Sequence, residues 1–454
     1  MESYDVSVIG LGPGGEYVAG TLAESGLRVL GIDNNLVGGE CPYWGCIPSK
    51  MMIRAANALA EARRVPQLAG SAGEIRPDWA PVARRIREEA TDNWDDRVAV
   101  ERFVGKGGTL VRGTGRVAGH GRVEVDGVAY AVTRGVVVAT GTRPAIPPIA
   151  GLDSVPFWTN HEAVETEVLP ASMIVLGGGA IGCELGQVFA RFGVQVSIVE
   201  AADHLLPTEE PETGKLLQDV FEAEGINVHV GMPARRVDRD EDGVGVTVTL
   251  DGGTVLRAER LLVATGRRAD PPAAGLDTVG VDPSARTAPI DERCRVTQGV
   301  WAVGDITGEG AFTHVAMYQA GIVIRDLLGE DGPPADYRAL PRVTFTDPEV
   351  GSVGLTEKQA RERFTSVSVG STPVPSTARG WIHKEGNEGL IKLVADADRG
   401  VLVGATAMGP AGGEVLGALT VAVHAQVPLE TLRSMMYAYP TFHRGIEDAL
   451  RALS

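Results

Sequence analysis

The apolar residues near the start of the chain and near its middle follow the same order of strand, glycine turn and helix. Residues 5–9 form a short β-branched run that predicts a buried parallel strand, and a helix is expected from Glu16 to Ser25. Residues 173–176 form a second such run, before a helix expected from Cys183 to about Phe192. This order predicts an α/β fold in which one strand–turn–helix plan occurs twice.

The rest of the chain is less regular. Residues 66–78 are rich in Pro, Gly and Ala and predict a loop, whereas residues 79–103 predict a single amphipathic helix. Residues 109–138 alternate Val with turn residues, which is typical of a β-meander. Residues 342–454 alternate strand and helix patterns, so they predict an α+β domain, and it carries no nucleotide signature.

Both glycine turns carry the pattern Gly-x-Gly-x-x-Gly. In the first turn Gly10 permits a tight bend, Gly12 lets the backbone approach a diphosphate, and Gly15 lets the helix pack on the strand. The diphosphate would lie at the helix N-terminus, where N–H groups are unpaired and the helix dipole is positive. In the second turn the same three roles fall to Gly177, Gly179 and Gly182.

An acidic residue ends the strand that follows each loop. Asp33 and Glu200 each lie 18 residues past the last glycine of their loops, and a carboxylate at that position accepts hydrogen bonds from ribose hydroxyls. Each copy also has an Ala-Thr-Gly turn, at residues 139–141 and 264–266. One such loop is weak evidence, but two with matching acids and turns predict two dinucleotide sites.

Cys41 and Cys46, with four residues between them, lie downstream of the first loop. A structural disulfide is disfavoured in a reducing compartment. Cys183 and Cys294 are single and distant, so the two close pairs typical of zinc sites are missing, and we expect no metal. We therefore interpret the pair as a redox-active dithiol that cycles through a disulfide.

Length and charge restrict the other possibilities. A chain of 454 residues predicts two to four domains. Its formal net charge of −17 argues against nucleic acid and anionic membranes as partners. The sequence shows no cleavable leader and no apolar run long enough to span a bilayer, so we expect a cytoplasmic location.

The run Gly45-Cys46-Ile47-Pro48-Ser49-Lys50, placed between two dinucleotide loops with residues 302–305 behind them, resembles the pyridine nucleotide–disulfide oxidoreductases. That family includes dihydrolipoamide dehydrogenase, glutathione reductase, mercuric reductase and soluble transhydrogenase. The resemblance runs from Tyr4 to about Leu450 and implies FAD on the first loop and NADH, or NADPH, on the second. It also implies a homodimer whose C-terminal domain completes the active site of the partner. The implied domains are FAD-binding 1–150, NAD(P)-binding 151–270, a central segment 271–340 that completes the FAD site, and an interface domain 341–454.

The resemblance assigns roles residue by residue. Lys50 would pair with Glu184 beside the flavin N5. Glu200 favours NADH, because a carboxylate accepts from a free 2′-hydroxyl and repels a 2′-phosphate. The implied FAD-binding residues are Gly10, Gly12, Gly15, Asp33, Gly39, Lys50, Gly115, Thr140, Gly141, Asp305 and Ala316. The implied nicotinamide cofactor residues are Gly177, Gly179, Gly182, Glu200 and Gly266.

The same resemblance implies a path for the electrons. Hydride passes from the nicotinamide to the flavin, and the flavin then reduces the Cys41–Cys46 disulfide through Cys46. Cys46 would be the thiol against the flavin, and Cys41 would be the interchange thiol that attacks a substrate disulfide. Such exchange needs a thiolate.

One departure from the family lies near the C-terminus, where disulfide-reducing relatives carry His-Pro-Thr-x-x-Glu. Here Tyr439 replaces the His and Arg444 replaces the Glu. His443 lies four residues past Tyr439, so a helix would bring it to the same face. We hypothesise that His443 is the surrogate acid/base, the alternative being an ordinary interface histidine. Tyr439 could donate a proton, but it is a poor base because its unperturbed pKa is about 10.

A second departure lies between the cysteines, where Pro42, Tyr43 and Trp44 replace smaller residues. These rings would stack on a flat substrate or, as we slightly favour, simply pack.

Four functions stay open at this point. The first is reduction of a small disulfide or related electrophile. The second is a diaphorase or quinone reductase in which electrons leave the flavin directly, and the third is a carboxylase-like relative that cleaves a thioether ketone. The fourth is a flavin-loaded sensor or scaffold without enzymatic activity. No cysteine pair follows Cys294, which argues against mercury as substrate.

Overall fold

A computed structural model of the chain describes residues 1–240, 243 and 245–454. Its strands are β1 Ser3–Ile9, β2 Val29–Asp33, β3 Thr109–Arg112, β4 Gly115–Val117, β5 Arg122–Val125, β6 Val128–Val138, β7 Arg143–Pro144, β8 Ser172–Leu176, β9 Gln195–Val199, β10 Asn227–His229, β11 Ala234–Arg239, β12 Val246–Leu250, β13 Val255–Ala258, β14 Arg260–Val263, β15 Arg267–Arg268, β16 Arg295–Thr297, β17 Val300–Ala302, β18 Pro341–Thr344, β19 Glu349–Gly354, β20 Val367–Pro373, β21 Leu390–Asp396 and β22 Val401–Gly409. Its α-helices are α1 Pro13–Glu24, α2 Glu40–Tyr43, α3 Cys46–Leu68, α4 Ala80–Arg85, α5 Arg97–Gly105, α6 Asn160–Glu165, α7 Ala180–Arg191, α8 Pro211–Ala223, α9 Thr313–Leu328, α10 Glu357–Arg363, α11 Ala378–His383, α12 Gly412–His424, α13 Leu429–Ser434 and α14 Gly445–Arg451.

The chain folds into two compact units, each assembled from segments that are distant in sequence. The first unit contains residues 1–48, 84–145 and 267–336, and the second contains residues 49–83, 146–266 and 337–454. The four domain bounds given above stay a prediction. Within the described residues, no helix is long and apolar enough to cross a membrane.

The first unit is organised on an eight-stranded sheet. Its main path runs β16-β17-β6-β1-β2-β3, and β4 and β5 join it through β6. Strands β1, β2, β3, β6 and β17 are parallel, so their carboxyl ends lie at one edge. Val6 and Val8 of β1 pack in the cluster that contains α1, while Tyr4 and Ile9 pack in a second cluster. Both faces of the sheet are covered, as is usual for parallel sheets.

The second unit carries three sheets. A four-stranded parallel sheet, β10-β9-β8-β14, contains β8, the strand that leads into the second glycine loop, and β11-β12-β13 form a small antiparallel sheet. The C-terminal residues form a five-stranded antiparallel sheet, β18-β19-β22-β21-β20, against which α12 and α14 pack. The predicted fold class, two Rossmann-like nucleotide-binding parts plus a C-terminal α+β domain, is confirmed.

The helix predicted over residues 79–103 is wrong as a single element. It is interrupted after α4 by a π-helical turn, Ile86–Ala90, and then by a break before α5. Asp92, Asn93 and Trp94 have φ values of 47°, 58° and 56°, a left-handed conformation that cannot continue a right-handed helix. The loop predicted from residue 66 begins later, because α3 continues to Leu68.

Candidate active site

The first glycine loop joins β1 to α1 and leaves its outer face open. Gly10 has a φ of 91°, and a Cβ there would lie 2.4 Å from the carbonyl oxygen of Ala139. A Cβ on Gly15 would lie 2.0 Å from the carbonyl oxygen of Gly10. Gly12 is the extended N-cap of α1, no side chain caps the helix, and a Cβ there would meet nothing within 4 Å. The loop therefore presents bare backbone at a helix N-terminus, which fits a diphosphate.

The second loop, between β8 and α7, repeats this geometry. Gly177 has a φ of 107° and a Cβ there would lie 2.4 Å from the carbonyl oxygen of Ala264. A Cβ on Gly182 would lie 2.0 Å from the carbonyl oxygen of Gly177, whereas one on Gly179 would meet nothing within 4 Å. Gly266, with a φ of 111°, likewise has open space. Both loops thus fit the same chemical group.

The acid at the end of each following strand supports its own loop. Asp33 accepts hydrogen bonds from the N–H groups of Leu11, at 2.6 Å, and Asn35, at 2.7 Å. Glu200 accepts from the N–H groups of Gly178, at 2.7 Å, and Ala202, at 2.8 Å. Burial raises the pKa of Asp33, and its two N–H donors oppose that shift. Each carboxylate oxygen has a second lone pair, so both acids can also accept from ribose hydroxyls.

Asp305 lies just past β17 and is half-buried. The Thr142 hydroxyl donates to Asp305 Oδ2 at 2.8 Å and accepts from Arg267 Nε at 2.8 Å. Burial raises the pKa of Asp305, while Thr142 and Arg267 lower it. Because Arg267 donates to the Thr142 oxygen, the proton of the Thr142 hydroxyl points at Asp305 Oδ2. Asp305 therefore keeps an acceptor oxygen available. The sequence did not predict this role for Thr142 and Arg267.

Of the other residues assigned to FAD, Lys50 lies in the second unit, whereas the rest lie in the same unit as Asp305. A Cβ on Gly39 would lie 2.8 Å from the Gly12 Cα, so Gly39 borders the first loop. Ala316, in α9, lies beside Gly14, because a Cβ on Gly14 would be 3.0 Å from the Ala316 Cβ. Gly115 packs differently, since a Cβ there would meet Ile32 Cγ2 at 2.7 Å. The Thr140-Gly141 turn follows β6, and Gly141 has a φ of 64°.

Cys41 is the second residue of α2, and Cys46 is the first residue of α3. Cys41 is half-buried, Cys46 is exposed, and both are thiols that are not joined in a disulfide. Cys46 Sγ lies 3.5 Å from the Thr313 hydroxyl oxygen, at the first residue of α9. A hydrogen bond to Cys46, and then burial, raises the pKa of Cys41, while Thr313 opposes the shift. In the reduced pair Cys41 therefore holds its proton more tightly than an isolated thiol does, and Cys46 lies at the N-terminus of α3.

The aromatic residues between the cysteines are buried. Tyr43 is 6% exposed and Trp44 is 8% exposed, and their ring centroids lie 5.9 Å apart. The Tyr43 hydroxyl donates to the carbonyl oxygen of Val37 at 3.2 Å. These contacts support the packing interpretation over stacking on a substrate.

Lys50 and Glu184 form the ion pair expected from the sequence. Lys50 Nζ lies 2.9 Å from Glu184 Oε2, and Glu184 is 6% exposed. The other carboxylate oxygen, Oε1, accepts a hydrogen bond of 2.8 Å from the N–H of Phe345. A buried carboxylate is stable as a charge when its lone pairs are used in this way. The contact with Phe345 was not predicted from the sequence, because Phe345 lies 161 residues from Glu184 along the chain.

Tyr439 and His443 do not share a helix, so that expectation is wrong. Tyr439 is 69% exposed in a turn, joined by a cis peptide to Pro440, and His443 lies in a separate 3₁₀ turn, Phe442–Arg444. Pro440 lacks an N–H, and the residue before a proline is disfavoured in the α conformation. Arg444 instead lies over the Tyr439 ring, 5.0 Å from its centroid.

Comparisons with known proteins identify the family. The family model "Pyridine nucleotide-disulphide oxidoreductase" matches residues 4–320, and the dimerisation domain of the same family matches residues 340–450. The chain belongs to this family. Its members use FAD and NAD(P)H, so the protein is a flavoprotein NAD(P)H-dependent disulfide oxidoreductase.

Individual relatives match over nearly the whole chain. A dihydrolipoyl dehydrogenase of Chlorobaculum tepidum is 32% identical over 98% of this chain and 96% of its own length. A mercuric reductase of Streptomyces lividans is 32% identical over 99% and 96%. Among solved structures, a Cu(II) complex of the HOCl-induced flavoprotein disulfide reductase RclA from Escherichia coli has a TM-score of 0.85 at 25% identity, covering 99% of both chains. LpdA from Mycobacterium tuberculosis has a TM-score of 0.84 at 26% identity, also covering 99% of both.

Two alanine substitutions separate folding from cofactor binding in the first loop. Gly15→Ala is expected to lower stability by roughly 1–3 kcal/mol, because its methyl group overlaps a backbone carbonyl. Gly12→Ala is expected to fold normally but to lose FAD, because its methyl group enters the space that the diphosphate needs. Calorimetry of the apoproteins and flavin absorbance after gel filtration measure the two effects. Equal flavin retention in Gly12→Ala and wild type would contradict the assignment.

The shifted pKa of Cys41 predicts how fast it is alkylated. Cys46→Ala removes the hydrogen bond that raises the pKa of Cys41, so more thiolate is present at pH 7. We expect Cys41 to react with iodoacetamide roughly tenfold faster than in the reduced wild type, with sites identified by mass spectrometry. Thr313→Val removes the opposing contact and should slow the reaction. Equal rates in all three proteins would show that the two sulfurs do not interact.

Proposed function

We propose that the protein uses Cys41 and Cys46 as a redox-active pair to reduce a small disulfide or related electrophile. The observation that carries this proposal is the contact between the two thiols, with the Thr313 hydroxyl 3.5 Å from Cys46 Sγ. Two cysteines that share a proton in this way can close a disulfide without large movement of the chain. Bound FAD and NAD(P)H would supply the electron pair that returns the disulfide to two thiols.

The proposed step on the substrate is a pair of exchange reactions. Cys41, as thiolate, attacks one sulfur of the substrate disulfide, which forms a mixed disulfide and releases one substrate thiol. Cys46 then attacks Cys41, which forms the Cys41–Cys46 disulfide and releases the second thiol. Two electrons have moved from the protein to the substrate, and two protons leave on the product thiols.

The raised pKa of Cys41 creates a need for a base. At neutral pH most Cys41 is protonated, so exchange requires a group that removes this proton. We assign the group to His443 of the partner subunit, with Tyr439 as a proton donor only, in a homodimer. The exposed apolar side chains of the interface domain support such a dimer, since Trp381 is 76% and Met436 is 97% exposed.

The nucleotide preference follows from Glu200, whose carboxylate is fixed by two backbone N–H groups. A fixed negative charge at the ribose would repel a 2′-phosphate, so we propose NADH over NADPH. We also propose a cytoplasmic enzyme, since the disulfides of cytosolic proteins are usually transient and catalytic, as proposed for Cys41 and Cys46. We propose a small molecule as its substrate, and neither nucleic acid nor a membrane as its partner.

A second candidate is a diaphorase or quinone reductase, in which the dithiol is secondary. The high pKa of Cys41 favours it, because a protonated thiol is a poor nucleophile. A carboxylase-like enzyme that cleaves a thioether ketone is favoured instead by Tyr439 and Arg444 in place of His and Glu, since a missing proton donor protects a carbanion. Mercuric reductases and the copper(II) complex of RclA add metal ions to the electrophiles worth testing on this chain.

Half-reactions followed by stopped flow distinguish these candidates. Cys41→Ser and Cys46→Ser are expected to keep reduction of the flavin by NADH and to lose disulfide reduction by roughly 100-fold or more. His443→Ala is expected to slow the oxidative half-reaction roughly 10-fold or more, with little effect on flavin reduction. Disulfides, quinones, thioether ketones, Hg(II) and Cu(II) are tested as oxidants, each with NADH and NADPH.

Cys294→Ala is the matched control, because it removes a buried thiol from the core of the same unit. It should retain both half-reactions. If the Ser variants reduce the best oxidant as fast as the wild type does, the dithiol proposal fails and the quinone reductase candidate replaces it.

A further inference from the structure

We propose that Phe345 is a positioning residue that fixes the Lys50–Glu184 ion pair from two sides, with its backbone N–H on the carboxylate and its ring on the ammonium. The inference rests on the proposed function as a flavoenzyme and on the family resemblance, which implies that Lys50 lies beside the flavin. It adds a residue of the C-terminal part of the chain to the machinery that sets the electron affinity of the flavin.

The backbone contact gives the second oxygen of the Glu184 carboxylate its own hydrogen-bond donor. Glu184 Oε2 lies 2.9 Å from Lys50 Nζ, and Oε1 lies 2.8 Å from the N–H of Phe345. Glu184 is 6% exposed, so a free oxygen would carry a desolvation penalty. With both oxygens engaged, rotation of the carboxylate would break one hydrogen bond or the other. The N–H of Phe345 thus fixes the plane in which Glu184 holds Lys50.

The ring contact restrains the ammonium. Lys50 Nζ lies 4.6 Å from the centroid of the Phe345 ring, well within the distance at which a cation is attracted to an aromatic face. A further contact, 3.3 Å, reaches the hydroxyl oxygen of Ser49. The side chain of Lys50 is 36% exposed, so a single ion pair would leave this flexible side chain other rotamers. The aromatic face lowers the energy of the one rotamer that faces Glu184.

Phe345 is itself held in place by its chain neighbours. Gln187 accepts a 2.8 Å hydrogen bond from the N–H of Asp347 and donates one of 2.8 Å to the carbonyl oxygen of Asp347. Glu184 and Gln187 lie three residues apart on α7, so they face the same segment. The carboxylate of Asp347 also binds Arg64, at 2.7 Å, and Arg191, at 2.8 Å. The segment 345–347 is therefore attached to α7 at several points and to Arg64 of α3, which fixes the position of the Phe345 backbone.

An ordered cation has a specific effect on a flavin. A positive charge next to the flavin stabilises the reduced form, and it does so most when it is fixed before the electrons arrive. A lysine that samples several rotamers spends part of its time away from that position. Loss of the Phe345 ring should therefore make the flavin harder to reduce without removing any charge from the protein.

Side-chain substitution tests the ring alone, since the N–H of residue 345 stays. For Phe345→Leu we expect a more negative midpoint potential of the flavin and a roughly fivefold slower reduction of the flavin by NADH. The dissociation constant of NADH should change less than twofold. Phe345→Tyr, which keeps the aromatic face, should restore both values. The potential is measured by spectroelectrochemistry of the holoenzyme and the rate by stopped flow.

Phe364→Leu is the matched control, because Phe364 is a half-buried ring of the same unit that packs on a separate apolar cluster. It should lower the melting temperature about as much as Phe345→Leu and leave the flavin potential unchanged. A shift of the potential in both variants would mean that general destabilisation is the cause, and the inference would be overturned.

Lys50→Met separates this inference from the function on which it rests. A more negative potential in Lys50→Met places the cation beside the flavin, as proposed. If Lys50→Met leaves the potential unchanged, Lys50 does not lie beside the flavin and the inference is overturned, whereas the dithiol proposal stands, because the Cys41→Ser and Cys46→Ser variants test it separately. If Lys50→Met shifts the potential but Phe345→Leu matches the wild type, or if Phe345→Tyr is as impaired as Phe345→Leu, only the role of Phe345 is wrong.

Discussion

The proposed chemistry of this protein depends on the hydrogen bond between the sulfur atoms of Cys41 and Cys46. Cys41 and Cys46 can form it because α2 is a single helical turn, with Gly38 and Gly39 before it at φ values of 108° and 68°. These conformations favour glycine, and both cysteines lie near Thr313. Cys41 holds its proton more tightly than an isolated thiol does, so the proposed exchange needs a base that removes this proton.

The two glycine loops share one geometry. In each loop two glycines lie so close to a backbone carbonyl oxygen that a Cβ on either would be 2.4 Å or less from it. A third glycine leaves open space at a helix N-terminus. An acid 18 residues later braces the loop through two backbone N–H groups. Rigid loops of this kind bind a diphosphate without ordering new residues, so little conformational entropy is lost on binding.

The sequence predicted the parts of the site that depend on local pattern. The strands, both glycine loops, Asp33, Glu200 and the cysteine pair all follow from short spacings, and the resemblance supplied the Lys50–Glu184 pair. Thr142, Arg267, Thr313 and Phe345 were missed because their contacts join residues more than 100 positions apart. No periodicity in a single sequence reports such pairs.

Two local expectations were wrong because a competing constraint was stronger. The helix over residues 79–103 breaks at three left-handed residues, although its polar and apolar pattern continues. Tyr439 and His443 have the spacing of a helical turn, but Pro440 lies between them. In both cases the side-chain pattern is typical of a helix, but the backbone conformation does not allow one.

The number of electrons that each chain accepts tests the central claim most directly. Anaerobic titration of the holoenzyme with dithionite, followed by flavin absorbance and by thiol counting, measures it. The dithiol account predicts about two pairs of electrons per chain, one on the flavin and one on the cysteines, and about one pair in Cys41→Ser. Uptake of only one pair by the wild-type enzyme, with no change in the thiol count, would contradict the account.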